Sequence, residues 1–310
     1  MKGLLIFNNK AGGAADELLP HLKEALGGEV ISATLEDFEC LSQIPQRALE
    51  MGCQWVAAAG GDGTIGCVAQ KLIGTELPLG VIPIGTFNNF ARSLGLPLDP
   101  IAACRVVRQG NVELVDVAFA NGKPFFECLG TGLDAALFPM GEQIKSGRFS
   151  QWLHLLRIAI LFRRPEFMIE LDRPASEALT HHTTNESRSL VRRFSCVKDR
   201  IIRIPALMVT VSNGPYFGMN FAIAPEERMD DGLVTVSVFH RYSKMQLFAR
   251  FLAIAWGRHS PCPKTVAFRV AQLKISATAP VAVHLDGTPT NLWPLNIQCQ
   301  RGALSVFREP

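Results

Sequence analysis

Apolar residues in the first hundred positions fall into short unbroken runs, at 3–7, 30–33, 55–59 and 79–84. Such runs fit strands buried on both faces of a sheet. Between them, apolar positions recur at helical spacing, which predicts helices over 16–26, 44–51, 65–73, 90–94 and 101–108. Strands alternating with helices predict a mostly parallel α/β sheet.

The pattern changes near residue 112. Short strands are predicted at 114–120, 124–129, 167–171, 206–212, 233–239, 265–270, 273–277 and 281–285, separated by Gly, Pro, Asn and Asp. That rhythm predicts a β-rich antiparallel sandwich as a second domain. Two helices interrupt it, over 149–162 and 244–254. Residues 172–190 are polar and read as an exposed loop. His181-His182 within that loop reads as a surface pair, because no partner ligands lie near it in the sequence.

Composition narrows the class. The 310 residues are 48% hydrophobic and 19% charged, a globular balance without a disordered signature. A net charge of +3, with no face saturated by Lys and Arg, argues against a nucleic-acid partner. Arg148, Arg157, Arg163, Arg164, Arg192 and Arg193 do cluster mid-chain, a pattern suited to anionic lipid or phosphate. The eight cysteines form no C-x-x-C pair and no zinc spacing, so they read as reduced thiols of a cytoplasmic protein. The apolar start at 4–7 is too short for a signal peptide, and no run approaches the ~18 residues of a spanning helix. The 149–162 segment admits two readings, a core helix with solvated arginines or an apolar, basic-edged helix lying in a membrane interface. Peripheral contact with the inner membrane face is therefore compatible with a cytoplasmic location. No feature of the sequence sets an oligomeric state.

The sharpest local signal is Gly60-Gly61-Asp62-Gly63-Thr64, between a buried strand and a helix. Glycines allow a tight turn and close approach to a ligand, and a helix start offers free N–H groups to phosphate. Thr64 is placed to cap that helix or to bond a phosphate oxygen. Gly61, Gly63 and Gly66 also spell the dinucleotide fingerprint G-x-G-x-x-G. Asp62 would repel a bare pyrophosphate, however, and no acidic residue ends the next strand to hold a ribose. The second signal is Gly85-Thr86-Phe87-Asn88-Asn89-Phe90-Ala91 at the end of that next strand, where ligands gather in open α/β sheets.

Together these segments resemble the catalytic domain of diacylglycerol kinases, sphingosine kinases and their bacterial lipid-kinase relatives. The resemblance continues in order along the chain. Asn8-Asn9-Lys10-Ala11-Gly12 is similar to the family's N-terminal turn. Val115-Asp116-Val117, Gly132-Leu133-Asp134-Ala135, Asn213-Gly214-Pro215-Tyr216-Phe217-Gly218, Ala224-Pro225 and Asp230-Asp231-Gly232-Leu233 match later family segments. His284-Leu285-Asp286-Gly287 resembles its Asp-Gly-Glu segment.

The resemblance implies a two-domain kinase using ATP and Mg²⁺ on a lipid substrate at the membrane surface. It places an ATP-binding α/β domain at 1–122, a lipid-binding domain at 123–293, and a return of about 294–310 to the first. Implied nucleotide contacts are Asn8, Thr34, Gly60, Gly61, Asp62, Gly63, Thr64, Ile65, Gly66, Thr86 and Asn88. An implied Mg²⁺ site uses the Asp231 carboxylate and the main-chain carbonyls of Arg228 and Leu233. Three positions depart from the family: Asn9 for Pro, Asn89 for Asp, and Thr288 for the Glu regarded as proton acceptor. Threonine is no base near neutral pH. Asp62 and Asp286, the two carboxylates inside motif turns, are then the expected catalytic residues, or the activity is weak or absent. Two alternatives remain open: a kinase of a soluble substrate, of the NAD kinase or phosphofructokinase type, and a non-catalytic binding protein.

Overall fold

A computed structural model describes residues 2–8, 15–136, 161–180, 184, 189, 191, 195–196, 199–218, 221–255 and 264–309. The expected Gly-rich turn at 10–14, most of the 149–162 helix and the His181-His182 pair lie outside these residues. The chain divides into two compact units. Unit 1 comprises Met1–Val117, Met229–Asp231 and Arg301–Pro310; unit 2 comprises Ala118–Arg228 and Gly232–Gln300.

Unit 1 opens with β1 (Lys2–Phe7), α1 (Ala15–Leu26), β2 (Glu29–Ala33) and α2 (Ile44–Glu50). It continues with β3 (Trp55–Gly60), α3 (Asp62–Leu72), β4 (Leu79–Pro83), α4 (Asn89–Ser93) and α5 (Pro100–Gln109). The strands pair in parallel in the order β2–β1–β3–β4. β3 and β4 are buried along their whole length, as their unbroken apolar sequence requires. Helix α5 is fixed at both ends: Asp99 accepts from the Ala102 N–H at its start, and left-handed Gly110 ends it.

β5 (Val112–Ala120) carries the chain into unit 2. There follow β6 (Lys123–Phe125), β7 (Cys128–Gly132), β8 (Glu166–Leu171), β9 (Ser195–Cys196), β10 (Ile201–Ser212), β11 (Tyr216–Phe217) and β12 (Phe221–Ala222). β13 (Val234–His240), β14 (Thr265–Val270), β15 (Gln272–Ala277), β16 (Val283–Leu285), β17 (Thr288–Thr290) and β18 (Leu295–Phe307) complete the strands. The pairings β8–β15, β10–β13, β13–β14 and β7–β16 are antiparallel.

β10 is the corner of the sandwich. Its first half pairs with β8 and its second half with β7 and β13. The register shifts between Ala206 and Met208, beside Pro205, which has no N–H to give a ladder. Sequence pattern predicts only the second half of this strand, because the first alternates Arg203 and Pro205 with apolar residues. The single strand expected at 124–129 is instead two, β6 and β7. A short helix, Ala175–Ala178, stands in the expected loop.

Candidate functional site

In unit 1 the sequence-predicted residues collect at the carboxyl ends of the parallel strands. Gly60 ends β3, and Gly61 caps α3 in extended backbone without a side-chain cap bond. Asp62, Gly63 and Thr64 are therefore the first turn of an 11-residue helix rather than a loop before it. The first N–H groups of such a helix have no intrahelical partner and face outward as donors. Thr64 is the third helical residue, not the cap. Its hydroxyl accepts from Asn8 Nδ2 at 2.8 Å, tying the end of β1 to the glycine turn.

Two glycine turns press together here. A Cβ on Gly85 would overlap the Gly61 backbone, and a Cβ on Gly60 would overlap Thr64. Asn88, in the left-handed region at φ 54°, closes the second turn on itself. Its Oδ1 accepts from the Gly85 N–H and its Nδ2 donates to the Gly85 carbonyl, both at 3.0 Å. Asp62 Oδ1 accepts from the Phe90 N–H at 3.0 Å, joining the start of α3 to the start of α4. Its Oδ2 has no hydrogen bond among the described residues. Gly63 and Thr86 are exposed, whereas Ile65 is buried in the helix face. Thr34 follows β2. Its hydroxyl and N–H both donate to Asp37 Oδ2, which holds the Asp37 carboxyl below its usual range.

Buried Asp116, noted in sequence only as part of a motif, fastens three pieces of unit 1 together. Its N–H donates to the Met229 carbonyl at 2.7 Å, and its Oδ1 accepts from the Gly302 N–H at 2.8 Å. The Met229–Asp231 strip, which carries Asp231, is thereby anchored. Arg228 and Leu233 belong to unit 2. Among the described residues, no three His, Cys, Asp or Glu side chains are grouped to hold a metal.

In unit 2, Asp286-Gly287 forms the two-residue turn between β16 and β17, with φ of 45° and 81°. Positive φ at both positions matches the twist of a tight hairpin. The Asp286 side chain folds back onto the chain leading into β7. Oδ2 accepts from the Phe126 N–H at 2.7 Å, and Oδ1 from the Glu127 and Cys128 N–H groups at 2.9 Å. Burial raises the Asp286 carboxyl above its usual range, while these three amides and His284 pull the other way. The expectation is of a base at Asp286; in the structure three backbone amides take most of its acceptor capacity. Thr288 is exposed on β17.

Residues 2–120 match the family model of the diacylglycerol kinase catalytic domain. Those residues form a domain similar to that family's catalytic domain. Residues 180–308 match a second model, the YegS C-terminal NAD kinase beta sandwich-like domain. A Pseudomonas aeruginosa protein named "Probable lipid kinase YegS-like" is 27% identical, covering 98% of this chain and 93% of its own. A diacylglycerol kinase of Mycobacterium tuberculosis is 25% identical over 95% of this chain and 89% of its own. The crystal structure of a diacylglycerol kinase from Bacillus anthracis shares the fold, with TM-score 0.72 at 19% identity, covering 100% of this chain and 97% of that one.

Proposed function

We propose that the chain is an ATP- and Mg²⁺-dependent lipid kinase, transferring the γ-phosphoryl group to the hydroxyl of a diacylglycerol-like or sphingoid-like lipid. The observation that carries this reading is the start of α3. There a glycine pair without side chains, a row of helix N–H donors and Asp62 converge beside the Gly85 turn.

Phosphoryl transfer asks mainly for positioning and charge stabilisation. Gly61, Gly63 and Gly66 leave backbone open to the phosphates, buried Gly60 makes room for Thr64 beneath them, and exposed Thr86 supplies a hydroxyl. The Asn8–Thr64 and Asn88–Gly85 bonds fix the two turns before any ligand arrives. This preorganisation lowers the ordering cost of binding. Thr34 and Ile65 are proposed as peripheral nucleotide contacts.

Asp62 Oδ2 is a hard oxygen donor and fits Mg²⁺, which when bound neutralises phosphate charge. The all-oxygen set of Asp231 and the Arg228 and Leu233 carbonyls suits the same ion. Asp62 is the catalytic carboxylate of this proposal, and Asp286 becomes a positioning residue.

A second reading has a specific observation in its favour. Thr288 replaces the expected acid and Asp286 is occupied by amides, which favours a protein that binds ATP and lipid with little turnover. Both are tested by γ-³²P-ATP with Mg²⁺ and a lipid panel in mixed micelles. Labelled lipid supports the kinase. ATP binding without any labelled lipid supports the second reading. A labelled soluble acceptor in place of lipid would overturn both. No described helix is long and apolar enough to cross a membrane, and the proposed place of action is the cytoplasmic membrane face.

A further inference from the structure

The start of the helix Lys244–Ala255 in unit 2 is fixed by its own sequence. The Gln246 N–H donates to Ser243 Oγ at 3.2 Å, and Gln246 Oε1 accepts from the Ser243 N–H at 3.0 Å. This reciprocal pair is a capping box, and it fixes how the first turn faces. Leu247 is buried in a cluster with Leu133, Leu207, Met208, Phe239 and Tyr242. Met245, two residues earlier, stands away from that cluster and is 78% exposed.

A second segment reaches the same place. Phe162 packs against the cluster, and Arg164 Nη2 donates to the Tyr242 carbonyl at 2.6 Å. Leu161, beside Phe162, is 61% exposed. Met245 and Leu161 are the most exposed large apolar side chains among the described residues of unit 2. Scattered singly, such residues need no explanation. These two stand at one edge, and cations flank them. Arg163, Arg164 and Arg241 are exposed, and Lys244 and Lys264 are half-buried, with Lys264 Nζ 5.8 Å from the Tyr242 ring centre. Arg163 and Arg241 make no ion pair among the described residues. No Asp or Glu occurs in 161–165 or 240–255; Glu166, the next acid along the chain, opens β8 opposite Pro205.

Arg241 adds an independent observation. Its φ is 55°, in the left-handed region that glycine or asparagine fills most easily. A long charged side chain is held where a smaller residue would turn the chain with less strain. Local strain of this kind collects at functional positions.

We propose that this edge of unit 2 docks on an anionic lipid bilayer. Leu161 and Met245 enter the interface, and Arg163, Arg164 and Arg241 meet lipid phosphates. Shallow apolar insertion ringed by basic groups is how peripheral proteins hold such a surface. Two apolar side chains are too few for a stable protein interface, which buries about 1,200 Å² or more. The inference rests on the lipid-substrate reading above and names the surface by which the chain reaches that substrate.

The test is co-sedimentation of the full chain with vesicles of phosphatidylcholine and phosphatidylglycerol in equal parts, and with phosphatidylcholine vesicles alone. The wild type binds the mixed vesicles, more weakly as salt rises, and the neutral ones poorly. Arg163→Gln with Arg241→Gly removes two charges and the left-handed strain. It weakens binding about 25-fold, at about 5-fold per charge. Met245→Gln with Leu161→Gln weakens it about 10-fold or more. Arg200→Gln, beside Leu171 at the far end of β8, leaves it unchanged. Both double variants keep wild-type turnover of monomeric dioctanoylglycerol and lose turnover of long-chain diacylglycerol in the mixed vesicles.

Unchanged affinity for mixed vesicles in the folded Arg163→Gln, Arg241→Gly chain overturns the inference. So does equal wild-type binding to neutral vesicles, or a wild type that binds no vesicle. Self-association lost in the Met245→Gln, Leu161→Gln chain, with vesicle affinity kept, overturns it in favour of a contact between copies. Vesicle binding that follows these residues in a chain that phosphorylates no lipid supports the surface and removes the kinase reading. Lipid phosphorylation with vesicle binding indifferent to these residues does the reverse.

Discussion

Asp62 in unit 1 and Asp286 in unit 2 are the same chemical group beside glycines, one in the first turn of a helix and the other in a hairpin, and their surroundings differ. Asp62 spends one oxygen on a single amide, Phe90 N–H, and keeps the other open. Asp286 accepts from three backbone amides, which take most of its acceptor capacity and turn it onto the chain. An acidic residue in a motif thus does not by itself mark a base. The number of backbone donors it already satisfies separates a carboxylate that can meet substrate from one that shapes the chain.

The comparison can be broken most easily at Asp62. Asp62→Asn should lower phosphoryl transfer by about 10²–10⁴-fold with the fold intact. Turnover near wild type in the folded variant would remove Asp62 from the chemistry. Asp286→Ala should act on stability instead. Orphaned amides cost about 1–3 kcal/mol each, so a loss of about 3 kcal/mol or more in denaturant unfolding is expected. A fully stable Asp286→Ala that is inactive would reverse the roles of the two residues.

The scaffold of unit 2 also carries an acid-sensitive group. Burial and neighbouring Arg241 push His240 from 6.5 down to about 4, and its Nε2 has no hydrogen-bond partner among the described residues. The unfolded chain binds this proton at a higher pH than the folded one. Stability is therefore fully present above about pH 6.5 and falls as pH drops toward 4. The loss is about 3 kcal/mol at about 1.4 kcal/mol per unit. Unfolding midpoints across that range should flatten in a stable His240→Gln. The smallest expected change in stability is at Thr288→Glu, within about 0.5 kcal/mol because the side chain is exposed on β17. Turnover should rise if the missing acid limits this chain, and stay level if Asp62 already suffices.

Much of unit 1 is legible in the sequence because its signals are local. Unbroken apolar runs define β3 and β4, and Gly60 to Thr64 announces the glycine turn that opens α3. The boundary of α3 is missed by three residues because Gly61 caps it with backbone alone, leaving no Ser, Asp or Asn to mark the start. Unit 2 hides more, since its decisive contacts join distant residues. Nothing near Asp286 shows that its acceptors are filled by the amides of Phe126 to Cys128. Asp134 and His284 belong to separate motifs, and only the register of β7 against β16 brings them together. Gly130 is a faint clue, a glycine inside a strand, which often marks a close approach. The switch of β10 between sheets depends on the bulge at Ala206–Met208, which apolar alternation cannot show.

The most direct test of the account is a single-turnover measurement of γ-phosphoryl transfer to lipid, with Asp62→Asn and Asp286→Asn compared per folded molecule. The account predicts that Asp62→Asn loses at least about 10²-fold in rate. Asp286→Asn should lose stability but keep its rate within about 10-fold, as a residue that only positions the chain. A folded Asp286→Asn that loses the larger share of rate, beside an active Asp62→Asn, would contradict it.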